Sequence, residues 1–260
     1  MVEVPSRPTV LVTGATGALG SAISEDLIDA GFNVVGLSRK DSNPTAHFKT
    51  FVADVTSVES LVRARVSLAE SNQTPSHIVT CSAAPGSALP FLDSSDTEFR
   101  ELFDVDFFGV VNVARVFGQG ILDARGSMTN LTSFHTVATY PNRVSYVAAK
   151  SGLEGFSRAL AVEWGSKGAR VNCVAPGPIE SPRTAGFLAR DSAARKGMTR
   201  RTPLGRLGVV TDVSGVVAFL VSERARHVTG QTIVVDGGWT SNSWWGDVSG
   251  QDFARGGGKR

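Results

Sequence analysis

The sequence predicts a doubly wound α/β fold, in which helices cover both faces of one parallel β-sheet. Seven short, mostly apolar runs rich in Val, Ile and Leu alternate with longer stretches of helical periodicity. The runs show little polar–apolar alternation, as expected of strands that are buried on both faces. The intervening helices are long enough to cross back over the sheet, which favours parallel strands.

The predicted elements follow one another without a break between domains. Strands are predicted at 9–13, 33–38, 48–52, 78–82, 128–132, 170–174 and 231–235. Helices are predicted at 18–30, 57–70, 98–117, 144–164 and 211–221. No Pro/Ser-rich linker or composition shift divides the chain, so we expect one domain over residues 1–260. Its core would span 8–238, with a mobile tail from about 246 to 260.

The segment 182–206 departs from this alternation because its periodicity is weak. Long stretches of this kind are usually lids or binding loops. Its only acid is Asp191, against the basic residues Arg183, Arg190, Arg195, Lys196, Arg200, Arg201 and Arg206. One interpretation is a solvated basic surface. The other is a lid that recruits an anionic substrate or the phosphates of a cofactor.

Composition excludes several function classes. Apolar residues make up 42% of the chain and the net charge is +2, which indicates a large core and gives no support to nucleic-acid binding. Cys81 and Cys173 lie in apolar stretches and are predicted to be buried thiols in a reducing compartment. No signal sequence or membrane-length apolar run is present, so a cytoplasmic location is expected. The four histidines lack metal-ligand spacing, so no metal is expected.

A glycine-rich turn lies between the first predicted strand and the first helix. It reads Thr13, Gly14, Ala15, Thr16, Gly17, Ala18, Leu19, Gly20. Glycines there permit a tight turn and bring backbone N–H groups close to a pyrophosphate, to which the helix N-terminus adds partial positive charge. This placement predicts a dinucleotide-binding site.

The end of the second predicted strand indicates which dinucleotide binds. NAD-binding units usually place an Asp or Glu here to accept hydrogen bonds from the ribose hydroxyls. Ser38 cannot play that anionic role, whereas Arg39 can pair with a 2′-phosphate and Lys40 adds a second cation. NADP(H) is therefore predicted over NAD(H), the alternative being an exposed polar strand end.

Three side chains are candidates for the chemistry. Tyr146 and Lys150 are four residues apart near the start of a predicted helix, so they share a face. A neighbouring ammonium stabilises a phenolate, which lets a tyrosine accept a proton near neutral pH. Ser133 ends a predicted buried strand and can donate to a substrate oxygen on which charge develops. Spacing alone also fits an ordinary surface pair of Tyr and Lys.

Taken together, these motifs resemble those of the classical short-chain dehydrogenase/reductase family, over about residues 8–238. Besides the glycine-rich turn, the resemblance rests on Ala53-Asp54-Val55, Asn130-Leu131-Thr132-Ser133, Tyr146-Val147-Ala148-Ala149-Lys150, Asn172, Pro176-Gly177, Gly230-Gln231 and Val235-Asp236-Gly237-Gly238. Ser133 precedes Tyr146 by 13 residues, the family's usual interval. The resemblance implies a single-domain Rossmann-type fold.

It also implies roles for individual residues. Tyr146 would exchange a proton with the substrate oxygen, Ser133 would orient that oxygen, and Lys150 would hold the nicotinamide ribose and help to ionise Tyr146. Asp54 would contact the adenine, Ser38 and Arg39 the 2′-phosphate, and Ile179 and Ser181 the nicotinamide carboxamide. The full predicted cofactor set is Gly14, Thr16, Gly17, Leu19, Gly20, Ser38, Arg39, Asp54, Val55, Ser82, Ala83, Tyr146, Lys150, Pro176, Gly177, Ile179 and Ser181. The predicted substrate contacts are Ser133, His135, Tyr140 and Tyr146.

Two positions depart from the family pattern. Asp106 stands where the family has a fourth catalytic residue, an Asn whose backbone carbonyl holds a water linked to the Lys. The Asp can keep that relay, but its negative charge near Lys150 would weaken the effect of that lysine on Tyr146. Cys81-Ser82-Ala83-Ala84 replaces the usual Asn-Asn-Ala-Gly, whose asparagines brace the central sheet.

The sequence thus predicts an NADP(H)-dependent oxidoreductase acting on a small ketone or secondary alcohol. The alternative is a catalytically weak NADP(H)-binding regulatory or assembly protein, and lyase or epimerase chemistry on the same fold is a third interpretation. Relatives usually form dimers or tetramers through the helices matching 98–118 and 144–164, so a homotetramer or, second, a homodimer is expected. Trp239, Trp244 and Trp245 are predicted to cover an interface or the core edge rather than to bind substrate.

Overall fold

A computed structural model describes residues 7–40, 47–84 and 88–243, which build one seven-stranded parallel sheet. The strands are β1 Thr9–Thr13, β2 Asn33–Ser38, β3 Lys49–Val52, β4 His77–Thr80, β5 Ser127–Leu131, β6 Arg170–Pro176 and β7 Thr232–Val235. Their order across the sheet is β3-β2-β1-β4-β5-β6-β7. The order reverses between β1 and β4, and in open α/β sheets ligands bind at such a switch point, outside the carboxyl ends of the strands.

Helices cover both faces, which confirms the predicted fold class. They are α1 Ala18–Asp29, α2 Val58–Glu70, α3 Asp96–Phe103, α4 Gly109–Ala124, α5 Val144–Gly165, α6 Pro182–Arg190, α7 Ser192–Arg201 and α8 Val210–Val221. Successive side chains of β1 point to opposite faces of the sheet. Leu11 packs into the cluster that contains residues of α2, α4 and α5, whereas Val10 and Val12 pack into the one that contains residues of α1 and α8.

The predicted helix at 98–117 is longer and less regular than the periodicity indicates. Helices α3 and α4 are continuous through one π-helical turn, Asp104–Phe108, and together span 96–124. A π turn inserts one extra residue per turn and shifts the apolar stripe, so a 3.6-residue pattern does not reveal it.

This long helix is also the one described helix that is long and apolar enough to cross a membrane. It qualifies by length and composition alone, and 44% of its most apolar 18-residue stretch is buried inside the protein. Val113, Phe117 and Ile121 of α4 lie in the core, as in any helix that packs against a sheet.

The segment 182–206 is largely helical, although its weak periodicity did not predict helices there. Asp191 caps α7 by accepting a hydrogen bond from the backbone N–H of Ala194 at 2.8 Å. Helix α7 buries none of its residues, so it carries no apolar stripe for periodicity to detect. Trp244, Trp245 and the tail at 246–260 lie outside the described residues.

At the amino ends of the strands, buried polar side chains from three neighbouring strands lie next to one another. They are His77 of β4, Ser127 of β5 and Arg170 of β6. His77 Nδ1 lies 2.9 Å from Ser127 Oγ, and Arg170 donates to the carbonyl oxygens of Leu220 and Val221 at the end of α8. Burial, and then the charge of Arg170, lower the pKa of His77 to about 4. His77 is therefore neutral at physiological pH.

Candidate active site

A cleft of about 1520 Å³ lies over the carboxyl ends of the strands. The glycine-rich turn lines it, and so do Ser133, Tyr146 and Lys150. The structure brings every predicted cofactor and substrate residue to this cleft, and Asp106 alone among the predicted site residues is buried behind it. Several further lining residues received no role from the sequence, among them Ser21, Leu207 and Val210.

The glycine-rich turn is shaped by contact with the loop after β4. Gly14 has φ +65°, and a Cβ there would lie 2.9 Å from the carbonyl oxygen of Cys81 and from the amide nitrogen of Ser82. Gly20 approaches as closely on the helix side, since its Cβ would lie 2.2 Å from the carbonyl oxygen of Gly14. Larger residues at either position would push the turn away from the sheet.

Helix α1 then begins with its N-terminus at the cleft. Its N-cap is Gly17, and no side chain caps the first N–H groups. These donors and the positive end of the helix dipole suit a pyrophosphate. The donor set at the turn therefore fits a dinucleotide.

The end of β2 presents cations and hydroxyls to the cleft. Ser38 Oγ lies 3.4 Å from Thr16 Oγ1 and accepts a hydrogen bond from the Lys40 backbone N–H at 3.3 Å. Arg39 and Lys40 are exposed. Nearby, Asp54 Oδ1 accepts from the backbone N–H and the hydroxyl of Thr56, at 2.9 and 2.8 Å, which fixes its carboxylate.

Helix α5 and the end of β5 position the three candidate catalytic side chains. Ser133 follows β5 and is buried, while Tyr146 and Lys150 lie in the first two turns of α5. Lys150 Nζ donates to the carbonyl oxygen of Leu131 at 3.1 Å and lies 5.9 Å from the centre of the Tyr146 ring. An ammonium, a phenol and a hydroxyl thus line one part of the cleft.

The carboxylate of Asp106 lies directly behind Lys150. Its Oδ2 is 3.4 Å from Lys150 Nζ, and its Oδ1 accepts from the backbone N–H of Ala84 at 2.7 Å. Thr13 Oγ1 accepts in turn from the backbone N–H groups of Cys81 and Ser82, at 3.1 and 3.2 Å. The loop after β4 is therefore braced by Thr13 and Asp106, although the family's asparagines are absent.

An aromatic wall flanks Tyr146. The His135 ring stands edge-on to Tyr140, with ring centres 4.9 Å apart, and also contacts Phe134. Burial, and then the charge of Arg143, lower the pKa of His135 to about 4, and burial raises the pKa of Tyr140. Within the described residues, His135 Nδ1 and Tyr140 Oη are buried without a hydrogen-bond partner.

Trp239 lies behind this wall, at the edge of the core. It is buried and packs edge-on against Phe134 and Tyr140, with ring centres 5.0 and 5.6 Å apart. The Arg201 guanidinium lies 4.0 Å from the centre of its ring. Of the two placements predicted for this tryptophan, the structure shows the core edge.

The basic segment 182–206 beside the cleft carries less unpaired charge than the sequence suggests. Arg195 pairs with Glu180, and Arg206 makes a two-pronged contact with Asp212 at 2.6 and 2.8 Å. Leu188 of α6 and Met198 of α7 line the cleft with apolar side chains, and so does Pro182 at the start of α6. In the described part of the chain, no group of three His, Cys, Asp or Glu residues is placed to hold a metal.

Comparison with known proteins agrees with this geometry. The family model described as Enoyl-(Acyl carrier protein) reductase matches residues 14–240. The 3beta-hydroxysteroid dehydrogenase 1 of Eggerthella lenta is 32% identical over 244 residues, covering 89% of this chain and 93% of that protein. The 3-oxoacyl-(acyl-carrier-protein) reductase of Pseudomonas aeruginosa is 32% identical over 239 residues, covering 88% and 95% of the two chains.

Solved structures show the same architecture. The ligand-free aldohexose dehydrogenase of Thermoplasma acidophilum superposes with a TM-score of 0.84 at 25% identity, covering 92% of this chain and 96% of that one. A short-chain dehydrogenase/reductase family oxidoreductase from Burkholderia thailandensis superposes with a TM-score of 0.83 at 26% identity, covering 96% and 98%.

The fold and its cleft define a nicotinamide-dependent oxidoreductase that interconverts alcohols and carbonyl compounds. The chain belongs to the short-chain dehydrogenase/reductase family.

Proposed function

We propose that this protein is an NADP(H)-dependent oxidoreductase that acts on a ketone or secondary alcohol. The observation that carries the proposal is that Ser133, Tyr146 and Lys150 line one cleft with the glycine-rich turn and Arg39. When bound, the nicotinamide supplies the hydride for reduction or accepts it in oxidation.

The chain's own residues supply position and proton transfer. Tyr146 donates a proton to the carbonyl oxygen in reduction and takes it back in oxidation. Ser133 donates a hydrogen bond to the same oxygen and stabilises the charge that develops there. Lys150 holds the ribose hydroxyls and favours the phenolate of Tyr146.

The charges at the end of β2 support NADP(H) over NAD(H). Ser38, Arg39 and Lys40 occupy the positions where a carboxylate would accept from the ribose of NAD. Arg39 is exposed beside the cleft and can form charge-assisted hydrogen bonds with a 2′-phosphate. Replacing Arg39 with Ala should raise the Kd of NADPH about tenfold and leave that of NADH within twofold. Arg63→Ala, in a surface pair with Glu59, is the matched control.

The aromatic wall is proposed to contact the substrate. His135 and Tyr140 line the cleft close to Tyr146, and Leu188 and Met198 add apolar surface. This lining suits a small-molecule carbonyl compound whose apolar body lies against rings. The ion pairs of Arg195 and Arg206 reduce the support for selection of an acidic substrate by the basic segment 182–206.

We also propose that the protein is a homotetramer, or else a homodimer, in the cytoplasm. Exposed apolar side chains support association, among them Phe108 beside α4 and Val144 and Val162 on α5. Two thiols outside any disulfide, Cys81 and Cys173, support a reducing compartment. Sedimentation velocity at micromolar protein concentration tests the assembly, since a monomer would contradict it.

The catalytic proposal is tested with purified protein, NADPH and a panel of ketones and aldehydes. Tyr146→Phe should lower kcat at least about a hundredfold while the Kd of NADPH stays within threefold. Full activity in this variant would contradict the role of Tyr146.

A second candidate function is a catalytically weak NADP(H)-binding regulatory or assembly protein. The observation that favours it is the carboxylate of Asp106 against Lys150, which offsets the charge that Tyr146 needs. Tight NADPH binding without turnover of any panel compound, in either direction, would support this candidate over the oxidoreductase.

A further inference from the structure

An arginine without an opposite charge lies at the end of the cleft that the aromatic wall lines. Arg143 immediately precedes α5, lines the cleft together with His135 and Tyr140, and is partly exposed. Within residues 7–40, 47–84 and 88–243, its guanidinium has neither a salt bridge nor a hydrogen bond. Among these residues the one carboxylate that lines the cleft is Asp54, which Thr56 holds.

The charge of Arg143 reaches both polar rings of the aromatic wall. After burial, it is the second cause that lowers the pKa of His135 to about 4. Burial raises the pKa of Tyr140, and the charges of Arg201 and Arg143 oppose that rise. Because charges act strongly only over short distances, the guanidinium lies close to both rings.

The same corner of the cleft has hydrogen-bonding capacity that the described residues leave unused. His135 Nδ1 and Tyr140 Oη are both buried there without a partner among those residues. A buried polar group without a partner costs free energy, so such groups call for an explanation. Two of them beside an unpaired cation indicate a place for a polar, negatively charged group of a ligand.

The cofactor phosphates do not account for this arginine. They suit the glycine-rich turn after β1 and Arg39 after β2. In the order β3-β2-β1-β4-β5, strand β2 is three strand spacings from β5, roughly 14 Å. Arg143 acts instead on His135, which follows β5 and stands edge-on to Tyr146. The charge therefore lies on the side of the cleft where Ser133 and Tyr146 are placed.

We propose that Arg143 binds a carboxylate of the substrate, which makes the substrate a keto acid or the matching hydroxy acid. The inference deepens the proposed function and rests on it, because Tyr146 must act on the carbonyl group of the same molecule. A guanidinium presents parallel N–H donors that match a carboxylate. One guanidinium also balances the single charge of a carboxylate, whereas a phosphate ester carries nearly two charges at pH 7.

The rings of the wall set the distance between the acid and the reacting carbonyl. His135 stands edge-on to both Tyr146 and Tyr140, with ring centres 5.9 and 4.9 Å away. An acid held near His135 and Tyr140 is therefore about one ring width from a carbonyl at Tyr146, several carbons along the molecule. Those carbons would lie against the rings and against Leu188 and Met198, which line the cleft with apolar side chains.

The test compares acids with their neutral esters. The probes are methyl-ketone acids of increasing chain length, from levulinate upwards, each beside its methyl ester, with NADPH as the reductant. The wild type should prefer the best acid over its ester at least about tenfold in kcat/KM, because the acid forms a charge-assisted pair. Arg143→Gln should lower kcat/KM for the acid about tenfold and leave that for the ester within about twofold. Arg158→Gln removes an exposed charge from the same helix and should change neither value.

A second measurement does not require turnover. Calorimetry with NADP⁺, which cannot reduce a ketone, gives the Kd of the best acid and of dihydroxyacetone phosphate. Arg143→Gln should raise the Kd of the acid about tenfold. The variant should fold, because Arg143 makes no side-chain cap and its backbone carbonyl accepts from the Val147 N–H at 2.8 Å.

The outcomes separate the two proposals. Equal turnover of acids and esters, unchanged by Arg143→Gln, would overturn the role of Arg143 and leave the proposed function intact. Acid binding that depends on Arg143, in a protein without turnover, would support the inference and count against the oxidoreductase. Equal losses for acid and ester in Arg143→Gln would indicate a merely structural residue and would overturn the inference. Tighter binding of dihydroxyacetone phosphate than of every acid would overturn the assignment of a carboxylate.

Discussion

The imidazole of His135 stands edge-on to the phenol ring of Tyr146, with ring centres 5.9 Å apart and planes at 88°. A histidine this close to a proton-exchanging tyrosine would ordinarily be suspected of titrating during catalysis. Because its pKa is lowered to about 4, His135 stays neutral wherever the folded enzyme would work.

This relationship predicts the pH profile of a variant. His135→Phe keeps a ring against Tyr140 and Tyr146 but has no titratable group. We expect the profile of kcat/KM between pH 5.5 and 7.5 to keep its shape in the variant, even if its height changes. An inflection near pH 6.5 in the wild type that disappears in His135→Phe would show that the imidazole titrates during catalysis.

The glycine-rich turn predicts a pair of stability measurements. Gly14 and Gly31 both have positive φ, but a Cβ on Gly31 would meet nothing within 4 Å, whereas one on Gly14 would meet the loop after β4. Gly31→Ala should therefore lower the free energy of unfolding by about 1 kcal/mol through backbone strain alone. Gly14→Ala should lower it by about 1–3 kcal/mol more.

Urea unfolding followed by circular dichroism checks both values. Gly31→Ala should also bind NADPH normally, while Gly14→Ala should bind it more weakly because the turn is displaced. Equal losses of stability in the two variants would mean that the close approach at Gly14 contributes nothing.

The buried His77 predicts how stability depends on pH. Its pKa is about 4 in the folded protein and about 6.5 in an unfolded chain, so between these values the unfolded state binds more protons. Stability is then fully present above pH 6.5 and is lost as the pH falls towards 4, by about 3 kcal/mol in total from this residue. Partly exposed His135 should add a smaller loss of the same sign.

Urea unfolding at pH 7 and pH 5 tests this dependence. His77→Asn, whose amide can replace Nδ1 as the partner of Ser127, should lose less stability between the two pH values than the wild type. The same loss in both proteins would show that other groups cause the pH dependence.

The two cysteines are predicted to react slowly with thiol reagents. Burial raises the pKa of Cys81 to about 12 and that of Cys173 to about 11. Cys81 nevertheless lines the cleft, so a small reagent can reach it. In Cys173→Ser, alkylation of Cys81 by iodoacetamide at pH 8 should be at least about a hundredfold slower in the folded protein than in urea. Similar rates in the two conditions would contradict a protonated thiol.

The layers of the fold could be predicted because they follow from local pattern. The apolar runs of β1 and β2, the turn between β1 and α1, and the shared face of Tyr146 and Lys150 are all set by residues close in sequence. The ends of the predicted elements were less accurate. Strand β4 ends at Thr80, two residues earlier than predicted, since the chain turns there towards Thr13. Helix α7 was not predicted because none of its residues is buried, so its sequence has no apolar stripe.

The relationship between Asp106 and Lys150 was only partly predictable. The resemblance placed Asp106 near the lysine, but it pointed to the backbone carbonyl as the functional group. Which oxygen of Asp106 faces the ammonium depends on the π turn and on the Ala84 N–H, 22 residues away in sequence. Such contacts are decided by packing between distant segments, which residue patterns do not record.

The hydroxyl of Thr13 accepts from the amide of Cys81, 68 residues further along the chain. A fragment that ended before β4 would contain the complete glycine motif and the first three strands, but it would lack the loop after β4 that contacts the turn. During folding, the affinity for the nucleotide should therefore appear only after the two halves of the sheet have joined. In truncated or circularly permuted versions of this chain, binding to an immobilised nucleotide would by itself report whether the two halves of the sheet have joined.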